Sequence, residues 1–283
     1  MLTLKRTMID TTAIESSGRG IRVAQFNVLA HDLCESGGFD ADPEILKWDY
    51  RRTLFNEILT AYPFDIMCFE EVDELPLKEI KSILVPSMYD HLWTEKFHTN
   101  PNDPRDGTAI FWNKTIFKLE KSQILRFYTR DSIPCTQAAL MLRLTSNQLF
   151  SVCIVATHLK AKPGFEEIRK NQVVQLMNEI KHFNTNNYPE LICGDFNDTP
   201  DSLACIEMNK KYRSAYQPET LPSMNLWTTC KKRKELVKRT IDYIFYDNRF
   251  KCLQVLDIPQ NDVILPASFY PSDHSLIGAV LEL

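Results

Sequence analysis

The chain has 283 residues, of which 44% are hydrophobic and 25% charged. This balance is typical of a folded protein with a large core and excludes disorder as the general state of the chain. The 33 basic and 37 acidic residues give a net charge of −4, which argues against a protein that holds long nucleic acid mainly through phosphate contacts. No apolar run reaches the roughly 20 residues that a membrane-spanning helix needs.

Eight cysteines occur without a Cys-x-x-Cys pair, which argues against a zinc ribbon or a dithiol redox centre. Cys68, Cys153 and Cys193 lie within apolar runs, where a thiol behaves as a small hydrophobic group. We therefore expect reduced, buried thiols and an intracellular location, in the cytoplasm or the mitochondrion. Residues 1–20 lack the apolar core of a secretory signal. We expect a poorly ordered tail there and a single domain over 21–283.

Strands and helices alternate in the first third of the chain. Asp42, Pro43 and Glu44 have the composition of a helix start: a capping side chain, proline in the first turn, and an acid near the positive end of the helix dipole. Apolar residues then follow at helical spacing. The predicted elements are a strand at 21–28, a helix at 43–62, a strand at 64–69 and a helix at 75–84.

The rest of the chain is rich in strands. Apolar runs predict strands near 89–95, 108–112, 115–126, 136–144 and 149–157, with a loop at 97–107. Further predicted elements are an amphipathic helix at 164–183, an irregular basic stretch at 211–239, and strands at 190–194, 240–246, 250–257 and 275–282. Adjacent strands without intervening helices argue against a purely parallel sheet. We therefore predict an α/β fold with two packed mixed sheets flanked by helices.

Polar residues that can take part in chemistry follow several of these apolar runs. A polar residue at a strand end, projecting into a loop, is a common position for reacting groups in α/β proteins. Six such segments are spread over almost the whole chain, and together they indicate one converging site. Their polar members are Asn27, Glu71, His158, Asp195, Asn197, Asp242, Asp273 and His274.

Glu71 is the clearest candidate for a metal ligand. It follows the predicted buried strand at 64–69, where a carboxylate is costly unless it is paired or metal-bound. The hard oxygen donors of these segments favour Mg²⁺ or Mn²⁺ over zinc. A salt bridge in a loop explains Glu71 equally well when it is taken alone.

The sequence Gly194-Asp195-Phe196-Asn197 is a more specific signal. Alternation beyond the strand places Asp195 and Asn197 on one side and Phe196 towards the core, and Gly194 permits a tight turn. A carboxylate beside an amide can hold and deprotonate a water molecule. The alternative is an Asx turn before a helix near residue 201.

Two histidines lie next to other polar groups. His158 ends a predicted strand and His274 precedes one, although a single histidine is more often structural than catalytic. Asp242 can orient His274 and stabilise its charged form. Asp273 can supply a second metal contact or a hydrogen bond to a metal ligand.

Positive charge for an anionic substrate has to come from side chains. The chain has eight glycines and no phosphate-binding glycine loop, no Gly-x-Ser-x-Gly and no Gly-x-Gly-x-x-Gly, which argues against P-loop kinases, serine hydrolases and Rossmann cofactor binding. A solvated surface is the simpler explanation of the basic cluster at 231–239. The candidate cations are Lys96, Lys160, Lys162, Arg169 and that cluster.

The ordered polar segments resemble the endonuclease/exonuclease/phosphatase superfamily over residues 21–283. Within it, longer stretches resemble the branch of nocturnin and its deadenylase relatives. This resemblance implies a divalent-metal phosphoesterase on a four-layer α/β sandwich. The stretches are Leu46-Lys47-Trp48, Glu71-Val72-Asp73, Thr157 to Gly164, Gly194 to Asn197, Thr240 to Ile244 and Tyr270 to His274.

The resemblance implies roles for the metal ligands and the base. Glu71 binds Mg²⁺, or Mn²⁺ in its place, with help from Asn27. Asp195 activates the attacking water, and Asn197 positions the water or the phosphate. No covalent intermediate is expected.

The resemblance also implies roles for the two histidines. His158 and His274 stabilise charge on the phosphoryl oxygens, and Asp242 orients His274. Positioning and charge stabilisation then supply most of the rate acceleration.

The nocturnin branch is associated with removal of the 2′-phosphate from NADP(H), and its relatives shorten poly(A) from the 3′ end. The resemblance therefore implies NADP(H) as the substrate and makes a poly(A) 3′-exoribonuclease the alternative. We expect a monomer without a membrane span. The basic residues at substrate-binding positions are Lys96, Lys160, Lys162, Lys232 and Arg233, with Lys231 as a further member of the cluster.

Two residues depart from the family pattern. Lys162 stands where an arginine is expected, which removes bidentate phosphate contact. Glu70 stands where the family usually has glutamine, and strand alternation predicts that it faces away from the site. If Glu70 instead faces the site, we expect it to tighten metal binding or to stay protonated.

Two other functions are weighed against the phosphatase. An exoribonuclease needs a groove that stacks adenines and follows phosphates, and the aromatic candidates for it are Trp93, Phe97 and Trp227. A non-catalytic adaptor would be indicated by the loss of a motif residue, and all six motifs are intact.

Overall fold

The computed structural model describes residues 6–11, 20–98, 105–148, 150–217, 221, 226–259 and 263–283. Within them the chain forms six helices and fifteen strands. The helices are α1 (His31–Ser36), α2 (Pro43–Leu46), α3 (Trp48–Ala61), α4 (Glu74–Leu84), α5 (Glu166–Phe183) and α6 (Leu203–Met208). The strands are β1 (Met8–Asp10), β2 (Ile21–Asn27), β3 (Ile66–Glu70), β4 (Tyr89–Glu95), β5 (Gly107–Asn113), β6 (Phe117–Tyr128), β7 (Pro134–Ser146), β8 (Ser151–His158), β9 (Glu190–Asp195), β10 (Arg213–Ser214), β11 (Thr229–Lys232), β12 (Leu236–Arg239), β13 (Asp242–Tyr246), β14 (Lys251–Leu256) and β15 (Ile277–Glu282).

Most strands belong to two large mixed sheets. The first sheet has the order β1-β14-β15-β2-β3-β5-β4, and the second has the order β10-β13-β9-β8-β7-β6. Strands β11 and β12 form a separate hairpin. Each large sheet has one parallel pair, β2 with β3 and β8 with β9. Helices connect the strands of each parallel pair, as parallel connections require.

The two sheets pack face to face, and helices cover their outer faces. In the second sheet Ile154 belongs to the core between the sheets, whereas its neighbour Val155 packs with residues of α5. In the first sheet Phe26 packs against Phe55 of α3, with ring centroids 5.9 Å apart. The predicted four-layer α/β sandwich is therefore confirmed.

Most element boundaries follow the predicted runs. Strand β4 spans the predicted range 89–95, and each other predicted strand agrees to within two residues at either end. Several apolar runs end at a polar residue of the site, which is why local pattern locates them. The predicted loop at 97–107 is described only in part, because residues 99–104 lie outside the described residues.

The helix predicted at 43–62 is two helices. Lys47 has an extended backbone, with φ −63° and ψ 141°, and separates α2 from α3. Apolar spacing continues across the break, so periodicity alone does not detect it. The change of direction brings Trp48 onto Phe55, with ring centroids 5.7 Å apart.

Residues 6–11 depart from the expected tail. Strand β1 pairs with β14 of the first sheet, and the buried Arg6 side chain donates to the backbone carbonyls of Asp257 and Leu276. These contacts join positions 251 and 270 residues apart, which a local sequence pattern does not encode. The rest of the expected tail, 1–5 and 12–19, lies outside the described residues.

The stretch 211–239 contains strands where an irregular segment is predicted. The hairpin pairs Thr229 with Arg239 and Lys232 with Leu236. A two-stranded ribbon buries little apolar surface, so its sequence lacks a strong strand pattern. Residues 218–220 and 222–225 of this stretch lie outside the described residues.

All eight cysteines are buried, free thiols. Burial raises the pKa of several of them, Cys153 among them, so they stay protonated. In the part of the chain described above, no helix is long and apolar enough to cross a membrane. The monomeric state and the cytoplasmic or mitochondrial location stay predictions.

Candidate active site

The predicted site residues converge at one edge of the two sheets, where β2, β3, β8 and β9 end. Strand pairing aligns them in rows: His158 lies opposite Asp195, and Asp195 lies opposite Asp242 at the start of β13. In the first sheet Asn27 lies opposite Glu70. Because the carboxyl ends of parallel strands meet at one edge, residues far apart in the sequence become neighbours.

Gly194 allows the two central strands of the second sheet to approach each other. A Cβ atom at this position would lie 2.0 Å from the backbone oxygen of Thr157. The sequence suggested that Gly194 is needed for a tight turn. The structure shows instead that it is required by the close approach of β8 and β9. This approach places His158 Nε2 3.6 Å from Asp195 Oδ2.

Asn27 links the two sheets through its side-chain amide. Its Nδ2 donates to Glu71 Oε1 and Asp195 Oδ2, both at 3.0 Å. Its Oδ1 accepts a hydrogen bond from the backbone N–H of Leu29 at 3.0 Å. The buried amide therefore holds together two carboxylates from different sheets, which would otherwise repel each other.

Leu29, Glu71 and Asn197 have left-handed backbones, as does Lys162 beside the cavity. The φ angle is +57° at Leu29, +56° at Glu71 and +52° at Asn197. Non-glycine residues adopt this region at a cost of roughly 1–3 kcal/mol, and such strain concentrates at functional sites. The turn at Glu71 interrupts the alternation of β3, so Glu70 and Glu71 both face polar groups of the site.

Asp195 lies at the centre of a crowded group of acids. Burial and the nearby carboxylate of Asp242 raise the pKa of Asp195 to about 7. Its Oδ1 accepts from the backbone N–H of Asn197 at 2.8 Å, which fixes the orientation of the carboxyl. A carboxyl with a pKa near neutrality can take a proton from water and release it again.

The acidic cluster fits a divalent cation. Ligand atoms of Glu71, His158 and Asp195 lie within 4.8 Å of one another, as do those of Asp195, Asp242 and His274. The repulsion that raises the pKa of Asp195 is what a bound cation would relieve. Oxygen donors predominate in the cluster, which suits a hard cation better than zinc. Glu71, oriented by the amide of Asn27, would hold the ion.

His274 and Asp242 form a buried ion pair. His274 Nδ1 lies 2.9 Å from Asp242 Oδ2 and 3.1 Å from its Oδ1. Burial lowers the pKa of His274, but the carboxylates of Asp242 and Asp273 outweigh burial and raise the pKa to about 10. The imidazole is therefore a cation at neutral pH. Its Nε2, 3.8 Å from Asp195 Oδ2, carries this charge to the centre of the site.

His158 has the opposite charge state. Burial, and then the positive charges of Lys96 and His274, hold the pKa of His158 well below its ordinary value. The ring is therefore neutral. Its Nδ1 is buried and has no hydrogen-bond partner within the described residues. A neutral imidazole of this kind can form one further hydrogen bond to a substrate oxygen.

Asp273 is paired with a lysine of the β11–β12 hairpin. Lys231 Nζ lies 2.5 Å from Asp273 Oδ2, and Thr229 Oγ1 donates to the backbone oxygen of Asp273. Burial raises the pKa of Asp273, but Lys231 and His274 outweigh burial and lower the pKa to about 2. The carboxylate therefore anchors the hairpin to the site, and its role as a metal contact stays a prediction.

Lys96 is a buried cation beside the acids. Its Nζ donates to the carboxylate of Asp106. Burial lowers the pKa of Lys96, but Asp106, Glu71 and Asp195 together raise it above its ordinary value. Lys96 is therefore paired with Asp106 beside the acidic cluster, and its role in substrate binding stays a prediction.

A cavity of about 620 Å³ lies beside Asn197 of the candidate site. Asn197 lines it on one side, and its wall carries the cations Lys162, Arg169, Lys231 and Arg239 together with the acids Glu166, Asp198 and Asp201. A volume of this size lies within the range of small-ligand pockets. The structure thus brings Lys162 to the site, and it adds Arg239, which the sequence did not single out.

Three other predicted cations contact the protein itself. Lys160 Nζ lies 4.9 Å from the ring centre of a phenylalanine, and Arg233 packs at 4.5 Å over another. Lys232 Nζ lies 2.5 Å from Asp40 Oδ2. Side chains alternate between the two faces of β11, so Lys231 and Lys232 have different partners. This alternation was the signal in the sequence that could have identified which of the two lysines faces the site.

Arg169 joins the loop of Lys162 to the segment after Asn197. Its Nε and Nη2 donate to the Asp198 carboxylate at 2.8 and 3.3 Å. Its Nη1 donates to the backbone oxygens of Lys160 and Lys162 at 3.1 and 2.9 Å. The sequence grouped Arg169 with cations available to a substrate, whereas the structure places it in a buried ion pair that shapes the cavity wall.

Glu70 lies beneath the site and not on the opposite face. Gln25 Nε2 donates to Glu70 Oε2 at 2.7 Å and to Asp242 Oδ1 at 3.1 Å. Burial raises the pKa of Glu70 well above its ordinary value, and the charge of Asp242 adds to this effect. A protonated Glu70 resembles the glutamine of the family in shape and charge. Gln25 was missed, although it lies two residues before Asn27 on the same face of β2.

Comparison with known proteins agrees with this geometry. The pattern of the Endonuclease/Exonuclease/phosphatase family matches residues 24–274. Nocturnin of Rattus norvegicus is 31% identical over 292 residues, which cover 95% of this chain and 68% of the rat protein. The structure of the human nocturnin catalytic domain with bound sulfate is similar at a TM-score of 0.80 and 27% identity, and covers 98% of this chain and 97% of that one.

A deadenylase relative is also similar over part of the chain. The 3′-5′-exoribonuclease subunit Ccr4 of Kluyveromyces lactis is 28% identical over 220 residues, which cover 65% of this chain and 27% of that protein. All six polar segments fall within the region that matches the family pattern, and their side chains form one cluster with room for a divalent metal. The chain belongs to the endonuclease/exonuclease/phosphatase family, within its nocturnin group, and is a phosphoesterase.

Proposed function

We propose that this enzyme uses Mg²⁺ to remove the 2′-phosphate of NADP(H), with NAD(H) and inorganic phosphate as products. The observation that carries the proposal is the cavity of about 620 Å³ beside Asn197, with Lys162, Lys231 and Arg239 in its wall. Its volume suits part of a dinucleotide, and its cations suit a diphosphate. Similarity to nocturnin supports this choice, as does the sulfate, an analogue of phosphate, in the human catalytic domain.

Asp195 acts as the base in this proposal. Burial raises the pKa of its carboxyl above that of an ordinary aspartate, which favours uptake of a proton from the attacking water. The water oxygen bonds to phosphorus, the bond between phosphorus and the ribose 2′-oxygen breaks, and that oxygen takes up a proton. Asn197 holds the carboxyl through its backbone N–H and lines the cavity that receives the rest of the substrate.

The histidines stabilise the charge that develops on the phosphoryl group. His274, a cation through Asp242, directs positive charge at the phosphoryl oxygens, and the neutral His158 offers one hydrogen bond. Each preorganised donor of this kind contributes roughly 10²–10³-fold in rate. A bound divalent cation, which we take to be Mg²⁺ with Mn²⁺ as a substitute, would neutralise phosphoryl charge. Glu71, oriented by Asn27, would hold it.

The alternative function is poly(A) 3′-exoribonuclease activity, which the similarity to Ccr4 supports. The aromatic residues that would stack adenines already have partners. Trp227 is completely buried and donates to the Pro259 oxygen, Trp93 donates to the protein backbone, and Arg126 covers the Phe97 ring at 4.1 Å. The dinucleotide therefore has the better support. A non-catalytic adaptor is disfavoured because every catalytic side chain is in place.

Two assays run in parallel test the proposal. Phosphate release from NADPH and shortening of a labelled poly(A) oligonucleotide are measured with Mg²⁺, with EDTA, and with Asp195→Asn as the catalytic control. We expect phosphate release that requires both the metal and Asp195, with the RNA left intact. RNA shortening without phosphate release would instead establish exoribonuclease activity. The absence of both activities would refute both NADPH and poly(A) as substrates.

A further inference from the structure

A buried guanidinium lies next to the catalytic groups without belonging to them. Arg51 of α3 is completely buried, and no salt bridge joins it to a carboxylate among the described residues. A charge in such a place is costly unless its hydrogen bonds compensate for lost water. The identity of those hydrogen-bond acceptors therefore indicates what the residue does.

The acceptors are backbone oxygens of two segments that carry site residues. Arg51 Nη2 donates to Val28 O at 2.7 Å and to Leu29 O at 2.5 Å. Its Nε donates to Pro271 O at 2.6 Å. The first two acceptors directly follow Asn27, and the third directly precedes the Ser-Asp-His segment. One side chain thus connects the end of β2 with the segment that leads into β15.

The first connection controls the amide of Asn27. Leu29 has a φ of +57°, and its backbone N–H donates to Asn27 Oδ1. With the amide oxygen occupied in this way, Nδ2 faces Glu71 and Asp195. By holding the Leu29 oxygen, Arg51 stabilises the strained backbone that turns the amide towards the two carboxylates.

The second connection controls the position of His274. Ser272 Oγ donates to the backbone oxygen of Asn27 at 2.7 Å and accepts from the backbone N–H of His274 at 3.1 Å. Arg51 holds the residue just before Ser272, so it fixes the same junction from the other side. These two bridges add to the pairing of β2 with β15 in fixing His274 relative to Asn27.

We propose that Arg51 is a positioning residue of the active site. It acts through Asn27 and His274, sets the orientation of the metal-binding carboxylates, and does not contact the substrate. This role goes beyond the proposed function, since it applies to the phosphoryl-transfer machinery whichever substrate occupies the cavity. Replacement of residues that orient metal ligands typically reduces metal affinity or activity 10–100-fold.

Two substitutions of Arg51 test the role against a matched control. Arg51→Lys keeps the charge but cannot reach carbonyls on both segments, and Arg51→Met removes charge and donors together. Arg52→Lys alters the neighbouring exposed residue, which pairs with Asp49. The measurements are Mn²⁺ affinity by electron paramagnetic resonance without substrate, kcat and KM of whichever activity the wild type shows, and Tm.

Both Arg51 variants are expected to weaken Mn²⁺ binding about tenfold and to lower kcat roughly 10–100-fold, with KM changed less than about threefold. Arg52→Lys is expected to match the wild type. Wild-type Mn²⁺ affinity and kcat in a folded Arg51→Lys, with a lower Tm alone, would overturn the proposal. The Mn²⁺ measurement tests the positioning role of Arg51 even if the wild type does not act on NADPH.

A milder substitution keeps the proposal testable if the Arg51 variants do not fold. Ser272→Ala deletes one hydroxyl and breaks the second bridge between Asn27 and His274. A folded Ser272→Ala with weaker Mn²⁺ binding and lower kcat would support a positioning role of this junction. Unchanged Mn²⁺ affinity and kcat in that variant would refute it.

Discussion

Replacement of Glu70 by glutamine is expected to make the stability of the folded protein less sensitive to rising pH. Glu70 accepts one hydrogen bond from Gln25, and its other oxygen has no hydrogen-bond partner among the described residues. Burial raises its pKa well above the ordinary value. The folded protein therefore keeps a proton that the unfolded chain releases near pH 4.3, on the order of the reference value for glutamate. Glutamine has a similar shape and carries no charge at any pH.

The magnitude follows from the proton difference between the two states. Above about pH 4.3 the folded state binds more protons than the unfolded chain, so the free energy of unfolding falls as pH rises. One group contributes a slope of about 1.4 kcal/mol per pH unit while it stays protonated in the folded state. The wild type therefore loses stability through Glu70 at up to this slope as the pH rises above about 4.3, for as long as Glu70 stays protonated in the folded state. Glu70→Gln removes this contribution.

The assay is urea unfolding followed by circular dichroism at several pH values in EDTA, which excludes metal binding. The control is Glu235→Gln, an exposed residue of the hairpin, whose pH dependence should match that of the wild type. Parallel pH slopes for Glu70→Gln and the wild type would refute a protonated Glu70. With Mg²⁺ added, Glu70→Gln should keep activity within about threefold of the wild type, because the substitution preserves the neutral form.

Three further substitutions probe the charges of the site. Asp242→Asn should lower the pKa of His274 from about 10, and an unchanged midpoint in an NMR titration of the imidazole would contradict the ion pair. The raised pKa of His274 stabilises the fold fully below about pH 6.5, and this stabilisation is lost as the pH rises through about 10. The variant should therefore be less stable than the wild type below about pH 6.5, and the difference should shrink as the pH approaches about 10. Lys231→Met should raise KM for NADPH about tenfold and Lys232→Met less than about twofold, since only the first lines the cavity; equal effects in steady-state kinetics would count against this placement. Asp195→Asn should lower kcat at least about 10³-fold. The same variant should have a higher Tm in EDTA, because the raised pKa of Asp195, about 7, costs the folded state stability as the pH rises from about 4 to about 7. A lower Tm would argue against crowding of the acids.

Local pattern was enough to locate most strands and to place the candidate site residues at their ends. Most predicted strands are runs of apolar residues bounded by polar loops, and both features are visible within a few positions. Local sequence pattern fails where contacts between distant residues decide the structure. Strand β1 forms only because β14 lies beside it, and Gly194 is needed only because β8 passes close to its Cα.

The chemical types at the site were determined by the sequence, since it places acids, amides and histidines at strand ends. Their charge states were decided by tertiary structure. His158 and His274 are both histidines at strand ends, yet folding places one near Lys96 and pairs the other with Asp242, so one is neutral and the other a cation. A pKa depends on burial and on neighbouring charges, and the chain acquires both only when it folds.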